Sequence, residues 1–579
     1  MEWTAFSRNK YVNVSICMLA LLSCILVARP FVSMGAIDDW SYIWSARVLA
    51  DTGRLTYNGW GAMPLGWVAY LGALFIKLFG FSFTIVRSSM WMVSLLTAAL
   101  MQRVFVRSGT SEWTATIATL TLVLSPLFLP SALMFSSDLP GLFVIVLCIY
   151  CCFRAFQSVS DQAALGWLIF AALSNVVGGT ARQVAWLGVL LIVPSAAWFM
   201  RQRRHMLLVG IVLWCIGVLS AALYLRWFNA QPYVLIDKIF YTYHINSAFG
   251  AARAAVVPWA CLLPVMSAFL VRSPAGMRSA RNIALATGAI VGSLLFWWAM
   301  KSPHDYFRIS PFGVDGSNVP IRGMGEHEII GHTPDIIPVV VRFLLVVAIF
   351  AATSSFLACL VGSRSKLIAD DVRPTSNQSP YPYVPNAYLV TLFALFVVAS
   401  FVLSVTRSMV WDRYFLALQF IFTIGIIRVY RQTISERLPW LCFAVGLLFT
   451  SYGVAAMHDF FAYERARLDA INEIRATGVP RTAIEGGHEY DGWTQLEQTG
   501  YVNESRIRVP AGAYQEWTPP SDVPPECLGY TRRLAPSIHP LLHLSHDPDG
   551  CFAPSQFPPV AYETWLSPRH RKIYILDSR

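Results

Sequence analysis

Charged residues are scarce in this chain of 579 amino acids, and the scarcity excludes whole classes of protein. Asp, Glu, Lys and Arg make up only 13% of the residues, whereas roughly 25% is usual in a soluble domain. Hydrophobic residues make up 56%, and the mean hydropathy is +0.52. The composition therefore excludes a single large soluble enzyme, a collagen-like chain and a disordered chain.

The charge is also unevenly distributed along the chain. The net charge is +11 at pH 7, but residues 1–458 hold 32 basic and 17 acidic residues, and residues 459–579 hold 12 basic and 16 acidic residues. This distribution does not indicate a nucleic-acid partner. A basic membrane part followed by an acidic soluble tail is the better interpretation, because Lys and Arg accumulate in the cytoplasmic loops of membrane proteins.

Apolar residues occur in blocks long enough to form helices that cross a bilayer, which takes about 20 residues. The block 64–80 is shorter, contains Lys77 and begins with Pro64. We therefore expect it to lie in, or dip into, the interface on the non-cytoplasmic side of the membrane. Thirteen other blocks are predicted to span the membrane: 12–31, 87–106, 113–131, 139–156, 163–179, 184–200, 206–225, 255–271, 283–300, 337–360, 387–405, 414–429 and 439–457.

The positions of the basic residues predict the orientation of these spans. With thirteen spans and a cytoplasmic N-terminus, every cytoplasmic connection has Lys or Arg within it or, as with Arg154, in the last turn of the span before it. We therefore expect a multi-pass α-helical membrane module over 1–457 and a small C-terminal α/β domain over 458–579, outside the cytoplasm. Residues 460–477 predict a helix and residues 573–576 a strand in that domain.

Charged residues recur where predicted spans meet the outer side. The first outer loop, 32–86, opens with Asp38 and Asp39, and other acids and cations follow at later span ends. Charges at this depth tend to face a cavity and mark a functional site. Helix capping by the acids and snorkelling of Arg87 to lipid headgroups are the structural alternatives. The candidates are Asp38, Asp39, Arg87, Asp138, Arg182, Arg413 and Tyr414.

Two further outer segments carry polar residues. The loop 301–336 has acids and histidines without a recognised zinc spacing, so we expect a substrate-facing loop. The stretch 486–493 could cover the site, bind acceptor glycan or form a plain surface loop. Cys527 and Cys551 are the two cysteines of the tail, and two cysteines in one small extracytoplasmic domain predict a disulfide.

The order of these motifs resembles the GT-C superfamily of membrane glycosyltransferases. The resemblance is closest to the branch with protein O-mannosyltransferases and the aminoarabinose transferase of lipid A. It covers residues 10–200 well, and 200–430 mainly by topology. Where that branch has His-Pro-Pro and Thr-Lys, this chain has Ala-Met-Pro at 62–64 and Thr-Ala-Arg at 180–182. The resembling segments are 38–42, 64–65, 78–80, 87–89, 125–127, 137–140, 180–183 and 412–414.

The resemblance implies a reaction and a role for each candidate. A monosaccharide would pass from a polyprenyl-phosphate-linked donor to a glycan, lipid or protein acceptor outside the cytoplasm, with the enzyme in a bacterial inner membrane. Asp38 or Asp39 would be the general base, and Asp138 would hold the acceptor or a metal. A divalent cation is the one cofactor to consider. The residues that would hold the lipid phosphate are Arg87, Arg182, Arg413 and Tyr414.

Three other interpretations of the sequence remain. A transporter or flippase of a polyprenyl-linked sugar would need charges at the bilayer midplane and repeated, interrupted spans. A non-catalytic assembly or sensor protein would tolerate loss of the acids. A ligase of the O-antigen type would use a diphosphate-linked glycan and a large late outer loop. Early acids at outer span ends, and the lack of an internal repeat, favour the transferase.

Overall fold

The computed structural model describes residues 10–61, 63–235, 255–274, 276–301, 324, 328–363, 384–405, 411–521, 523–529, 532–548 and 551–578. Helices dominate the first four fifths of the described chain. The helices of its first half are α1 Lys10–Val27, α2 Asp39–Thr52, α3 Gly66–Phe79, α4 Phe83–Arg107, α5 Glu112–Val123, α6 Phe128–Leu133, α7 Asp138–Phe156, α8 Asp161–Gly179, α9 Val193–Phe199 and α10 Met206–Asn229.

The second half contains the remaining long helices and the tail. Residues 255–260 are also helical. The later helices are α11 Leu263–Met266, α12 Ala268–Val271, α13 Arg278–Lys301, α14 Val339–Gly362, α15 Asn386–Val405, α16 Leu416–Thr433, α17 Trp440–Ala476 and α18 His488–Thr499.

The long helices have the length and surface of membrane spans. Eight helices in the described part of the chain are long and apolar enough to cross a bilayer. On α10, large apolar side chains such as Leu208, Trp214 and Leu223 are exposed, which is typical of a helix that faces lipid. The prediction of a multi-pass α-helical membrane protein with a small C-terminal domain is confirmed, whereas the number of thirteen spans stays a prediction.

The predicted spans 113–131, 184–200 and 255–271 are not continuous α-helices, and the last of them consists of residues 255–260, α11 and α12. In 113–131, α5 ends at Val123 and α6 begins at Phe128, with Pro126 between them. In 184–200, a 3₁₀ turn and a π turn precede α9, which contains Pro194. Proline has no amide hydrogen and disfavours helix at the residue before it, so the backbone changes its winding near both prolines.

The first outer loop folds into two helices, as the sequence predicts. α2 begins directly after Asp38 and ends at Gly53, which has a φ of 74°. α3 covers the block 64–80 that was expected to be a helix at the interface. α2 and α3 pack on each other, and Ser82 caps the next helix, α4, by accepting from the Ile85 amide. The loop thus brings Asp38 to the start of a packed helix pair.

The last membrane helix continues into the tail without a break. α17 has 37 residues and is about 55 Å long at 1.5 Å per residue. The predicted boundary at 457/458 therefore lies inside this helix, and the predicted helix 460–477 coincides with most of its second half. Asp459 of this half accepts from the amides of Trp565 and Leu566, and His458 stacks on Trp565 at 4.0 Å. These contacts fasten the tail sheet to α17.

The tail contains one small sheet of five strands. Its strands are β1 Ile484–Glu485, β2 Leu542–Ser545, β3 Ala553–Pro554, β4 Val560–Glu563 and β5 His570–Asp577. β1 pairs parallel with β2, and β5 pairs antiparallel with β2, β3 and β4. The predicted strand 573–576 is part of β5. Cys527 and Cys551 form the predicted disulfide, with their Cα atoms 5.3 Å apart.

The stretch 486–493 is not the plain surface loop that was one of its three interpretations. It follows β1 directly and contains the start of α18, and residues 488–496 are buried. Trp493 packs edge-to-face on Trp44 of α2. Helix α18 therefore covers the first outer loop. Most of the predicted loop 301–336 lies outside the described residues.

Candidate active site

Asp38 stands at the N-cap position of α2, but its side chain does not cap that helix. Oδ1 of Asp38 accepts a hydrogen bond from the indole nitrogen of Trp60 at 3.0 Å, and Oδ2 lies 3.5 Å from Nη2 of Arg413. The Asp38 side chain is 29% exposed. The capping alternative for Asp38 is therefore wrong, and its carboxylate is accessible and directed by two neighbours.

A chain of alternating charges continues from Asp38. Nε of Arg413 lies 3.2 Å from Oδ2 of Asp138, and Nη2 of Arg182 lies 2.7 Å from Oδ1 of the same carboxylate. The Asp138 side chain is only 7% exposed, so the two guanidinium groups share a largely buried carboxylate. Four charged residues predicted from the sequence are thus joined in one cluster.

The members of this cluster come from the starts of four different helical segments. Asp38 precedes α2, and Asp138 lies in the first turn of α7. Arg182 precedes the 3₁₀ turn Gln183–Trp186, and Arg413 lies in the 3₁₀ turn Asp412–Phe415 before α16. Asp38 and Arg413 are more than 350 residues apart in the chain. Only the packing of these segments therefore brings the four charges together.

Aromatic rings and a thioether sulfur surround the two arginines of the cluster. The Arg182 guanidinium lies 4.7 Å from the ring centre of Tyr414, and it also contacts the sulfur of Met63. Met63 is the middle residue of Ala-Met-Pro at 62–64, so this segment borders the cluster. Tyr42 of α2 lies nearby, and burial together with the charges of Asp38 and Asp138 raises the pKa of its phenol well above the usual range.

Asp39 and Arg87 form a separate pair behind the cluster. Nε of Arg87 donates to Oδ2 of Asp39 at 2.6 Å, and both side chains are almost completely buried. Arg87 also donates to the carbonyl oxygens of Val32 and Met34. The structure therefore places Asp38, Asp138, Arg182, Arg413 and Tyr414 in one group and directs Asp39 and Arg87 towards each other.

A second group of charges lies between α17, α18 and the end of the loop 301–336. Arg467 pairs with Glu328, with Glu464 at 3.2 Å and with Glu489 at 2.5 Å. The three carboxylates lie close enough to share a metal ion. Arg467 supplies one positive charge among these three carboxylates. Burial, followed by the charges of Glu489 and Glu464, raises the pKa of Glu328 well above its usual range.

Sequence reasoning did not find three residues that contact the cluster or its supports. Trp60 and Met63 lie in the first outer loop. Trp60 belongs to no predicted motif, and the segment 62–64 that contains Met63 gives no link to Arg182 in the sequence. His488 lies in the stretch 486–493, for which covering the site was one interpretation. The only sequence signal for these residues was their place in an outer segment rich in aromatic and polar residues.

Comparisons with known proteins return solved structures only, because no family model and no curated protein matches the chain. The chain is similar to ArnT from Cupriavidus metallidurans in the apo state (15% identity, TM-score 0.38, covering 81% of this chain and 80% of that chain). The same protein bound to undecaprenyl phosphate gives 16% identity and a TM-score of 0.38, covering 81% of each chain.

A further similar structure is the archaeal oligosaccharyltransferase AglB from Archaeoglobus fulgidus, in complex with an inhibitory peptide and a dolichol-phosphate. It is 13% identical, with a TM-score of 0.43, and the match covers 93% of this chain and 65% of that chain. This chain therefore spans about two thirds of the length of the archaeal protein.

Proposed function

We propose that this protein is a membrane glycosyltransferase of the GT-C type. It moves a monosaccharide from a polyprenyl-phosphate-linked donor to a glycan, lipid or protein acceptor on the outer side of a bacterial plasma membrane. The observation that carries the proposal is the continuous cluster of Asp38, Arg413, Asp138 and Arg182. It offers one accessible carboxylate beside two cations, which is the combination that transfer from a phosphate-linked donor needs.

The leaving group of such a transfer is an anion, so the reaction needs cations there and not a proton donor. A lipid phosphate departs with its negative charge, and preformed N–H donors stabilise that charge in the transition state. Arginine suits this role because its planar fork binds two phosphate oxygens at once. Arg182 and Arg413 are the arginines of the cluster, and we assign the phosphate to them and leave Arg87 with Asp39.

The acceptor hydroxyl needs a base, and Asp38 is the better of the two candidate acids. Its carboxylate is partly exposed, whereas Asp39 is bound on both oxygens by Arg87 and the Ala36 amide. A carboxylate that takes the proton assists attack by typically about 10²–10⁴-fold. A single displacement of this kind inverts the anomeric carbon of the transferred sugar.

Arg413 links the two roles. Its contact with Asp38 is the longest ion pair of the cluster, at 3.5 Å. When a donor phosphate binds Arg413, the guanidinium can turn from Asp38 to the phosphate while it keeps Asp138. The Asp38 carboxylate then loses this contact, so donor binding leaves its Oδ2 to the acceptor hydroxyl.

A divalent cation is not required by this scheme. Asp38 and Asp138 would be its ligands, but Arg413 already lies between their carboxylates. Transfer that continues in excess EDTA is therefore expected. Loss of activity in EDTA, restored by Mg²⁺ or Mn²⁺, would show that a cation replaces part of the role assigned to Arg413.

The test is transfer by the purified protein from a panel of polyprenyl-phosphate monosaccharides to a membrane-lipid and glycan extract. We expect release of polyprenyl phosphate with a sugar added to one acceptor, with the anomeric configuration inverted. Asp38→Asn should remain folded and lose activity by about 10²–10⁴-fold. If the sugar-lipid crosses the bilayer but never loses its sugar, the protein is a transporter and the proposal is wrong.

A further inference from the structure

Two consecutive residues of the tail contact the first outer loop on both sides of Asp38. Oε1 of Glu489 accepts from the amide of Ile37 at 2.8 Å. Nε2 of His488 accepts from the indole nitrogen of Trp40 at 3.3 Å. The residue before Asp38 and the residue two positions after it are therefore both held by the start of α18.

The bond from Ile37 holds an unfavourable backbone conformation. Ile37 has a φ of 52°, in the left-handed region that a β-branched residue rarely adopts. Such a conformation persists only where surrounding contacts determine it. Glu489 supplies that contact and is itself fixed, because Arg467 of α17 donates to its other carboxylate oxygen at 2.5 Å. The turn that aims Asp38 is thus held from the tail.

His488 also supports the donor that directs the Asp38 side chain. The His488 ring lies 4.5 Å from the ring of Trp60, whose indole nitrogen donates to Oδ1 of Asp38. Trp40 lies 5.3 Å from the same Trp60 ring. Burial lowers the pKa of His488, so its ring is neutral at neutral pH and Nε2 can accept from Trp40.

The approach of α18 to this loop is close. A Cβ atom added to Gly492 would lie 2.6 Å from the Trp40 ring, so only glycine allows the two elements to meet at this distance. The contact surface is also dry, since His488, Glu489 and Trp40 are all buried. Close, dry contacts transmit a displacement of one element directly to the other.

We propose that His488 and Glu489 are positioning residues for Asp38, so that the C-terminal domain completes the active site of the membrane module. Glu489 holds the backbone turn at Ile37, and His488 fixes the positions of the Trp40 and Trp60 rings. Trp60 then occupies Oδ1 of Asp38 and leaves Oδ2 to the acceptor hydroxyl. This proposal rests on the proposed function, because Asp38 is the base only in a transferase.

The expected effect is on the chemical step and not on donor binding. A displacement of a reacting group by about 1 Å can cost about 10²-fold in rate. The phosphate ligands Arg182 and Arg413 make no contact with α18 among the bonds and ion pairs of the described residues. Loss of the His488 contact should therefore lower kcat and leave the affinity for polyprenyl phosphate unchanged.

The experiment uses three substitutions of one residue in the full-length protein. His488→Phe keeps a ring against Trp60 but removes the acceptor, His488→Ala removes both, and His488→Gln keeps an acceptor. Gln498→Ala, on the exposed side of the same helix, is the matched control. The measurements are kcat, KM for donor and acceptor, polyprenyl phosphate affinity, and amide hydrogen exchange over residues 36–44.

We expect His488→Phe and His488→Ala to lose roughly 10–100-fold in kcat with unchanged donor affinity, and His488→Gln to recover most of it. Unchanged kcat in His488→Phe and His488→Ala, or a change in donor affinity alone, would overturn the proposal. If the wild type transfers no sugar, the proposed function fails and hydrogen exchange decides the positioning. Faster exchange at 37–40 in His488→Ala would then support it, and unchanged exchange would contradict it.

Discussion

Arg87 donates from Nε to Oδ2 of Asp39 across 2.6 Å, and neither side chain is accessible to solvent. The same guanidinium binds two carbonyl oxygens of the loop that follows α1. One buried pair therefore joins α4, the loop after α1 and the first residue of α2. Asp38 directly precedes that residue. The buried pair therefore fixes the backbone that carries the accessible Asp38 carboxylate.

We expect loss of the Arg87–Asp39 pair to lower the free energy of unfolding rather than to act directly on catalysis. Arg87→Met leaves the Asp39 carboxylate buried without a cation, and removal of one partner of a buried pair costs about 3–5 kcal/mol in the free energy of unfolding. The double variant Arg87→Met/Asp39→Leu should recover much of that loss. Thermal unfolding in detergent measures both. A folded Arg87→Met protein that loses only affinity for polyprenyl phosphate would instead make Arg87 a phosphate ligand.

Arg182 and Arg413 should control the affinity for the lipid phosphate. Hydrogen bonds to a charged group contribute about 1.5–3 kcal/mol each, so Arg182→Gln and Arg413→Gln should each weaken polyprenyl phosphate binding by roughly 10–150-fold. The Lys variants should fall between, because they keep the charge and lose the fork. Arg201→Gln, an exposed arginine elsewhere, controls for the change in net charge. If all variants bind polyprenyl phosphate as tightly as the wild type, the assignment of the phosphate to this cluster is wrong.

The buried carboxylates around Arg467 should make stability depend on pH. The pKa of Glu328 is raised by burial and by Glu489 and Glu464, so the folded protein binds a proton more tightly there than the unfolded chain does. The resulting stabilisation is complete at acidic pH and is lost as pH rises through the raised pKa. Glu328→Gln should therefore unfold at a temperature that falls less than that of the wild type as pH rises, and it should be the more stable protein at pH values above the raised pKa.

The contrasting variant at this cluster is Glu489→Gln. Burial opposes ionisation of Glu489, but the charge of Arg467 and its hydrogen bond lower the pKa of Glu489 below the usual value. Loss of this charge should destabilise the protein most at neutral and alkaline pH, where the carboxylate is ionised in the wild type. If Glu328→Gln and Glu489→Gln behave alike, the proton is not held by Glu328.

The disulfide should stabilise the tail and leave the membrane module unaffected. Cys527 and Cys551 are separated by 24 positions, and closing a loop of this length contributes about 3 kcal/mol. Cys527→Ser/Cys551→Ser should unfold more readily in its tail, as measured by limited proteolysis of residues 477–578. Alkylation of the wild type without reductant should add no mass at these two positions, and two added groups would show that the thiols are free.

Local sequence was sufficient for the elements and for most of the charged cluster. The long apolar blocks predict helices because a bilayer leaves no other way to bond their backbone. A charge at the end of an apolar block is costly in free energy and usually marks a functional site. This rule identifies Asp38, Asp138, Arg182 and Arg413 from the sequence. Proline positions such as Pro126 explain, after the fact, where a predicted span divides.

Tertiary structure alone decided which charges are partners. Asp38 and Asp39 are adjacent in sequence and equally acidic, yet one faces the accessible cluster and the other a buried arginine, because successive residues of a helix point about 100° apart. The packing of α18 on the first outer loop joins His488 to Trp60 and Glu489 to Ile37 across more than 400 residues. No spacing in the sequence encodes that contact, since it depends on where α17 directs the tail after it leaves the membrane part.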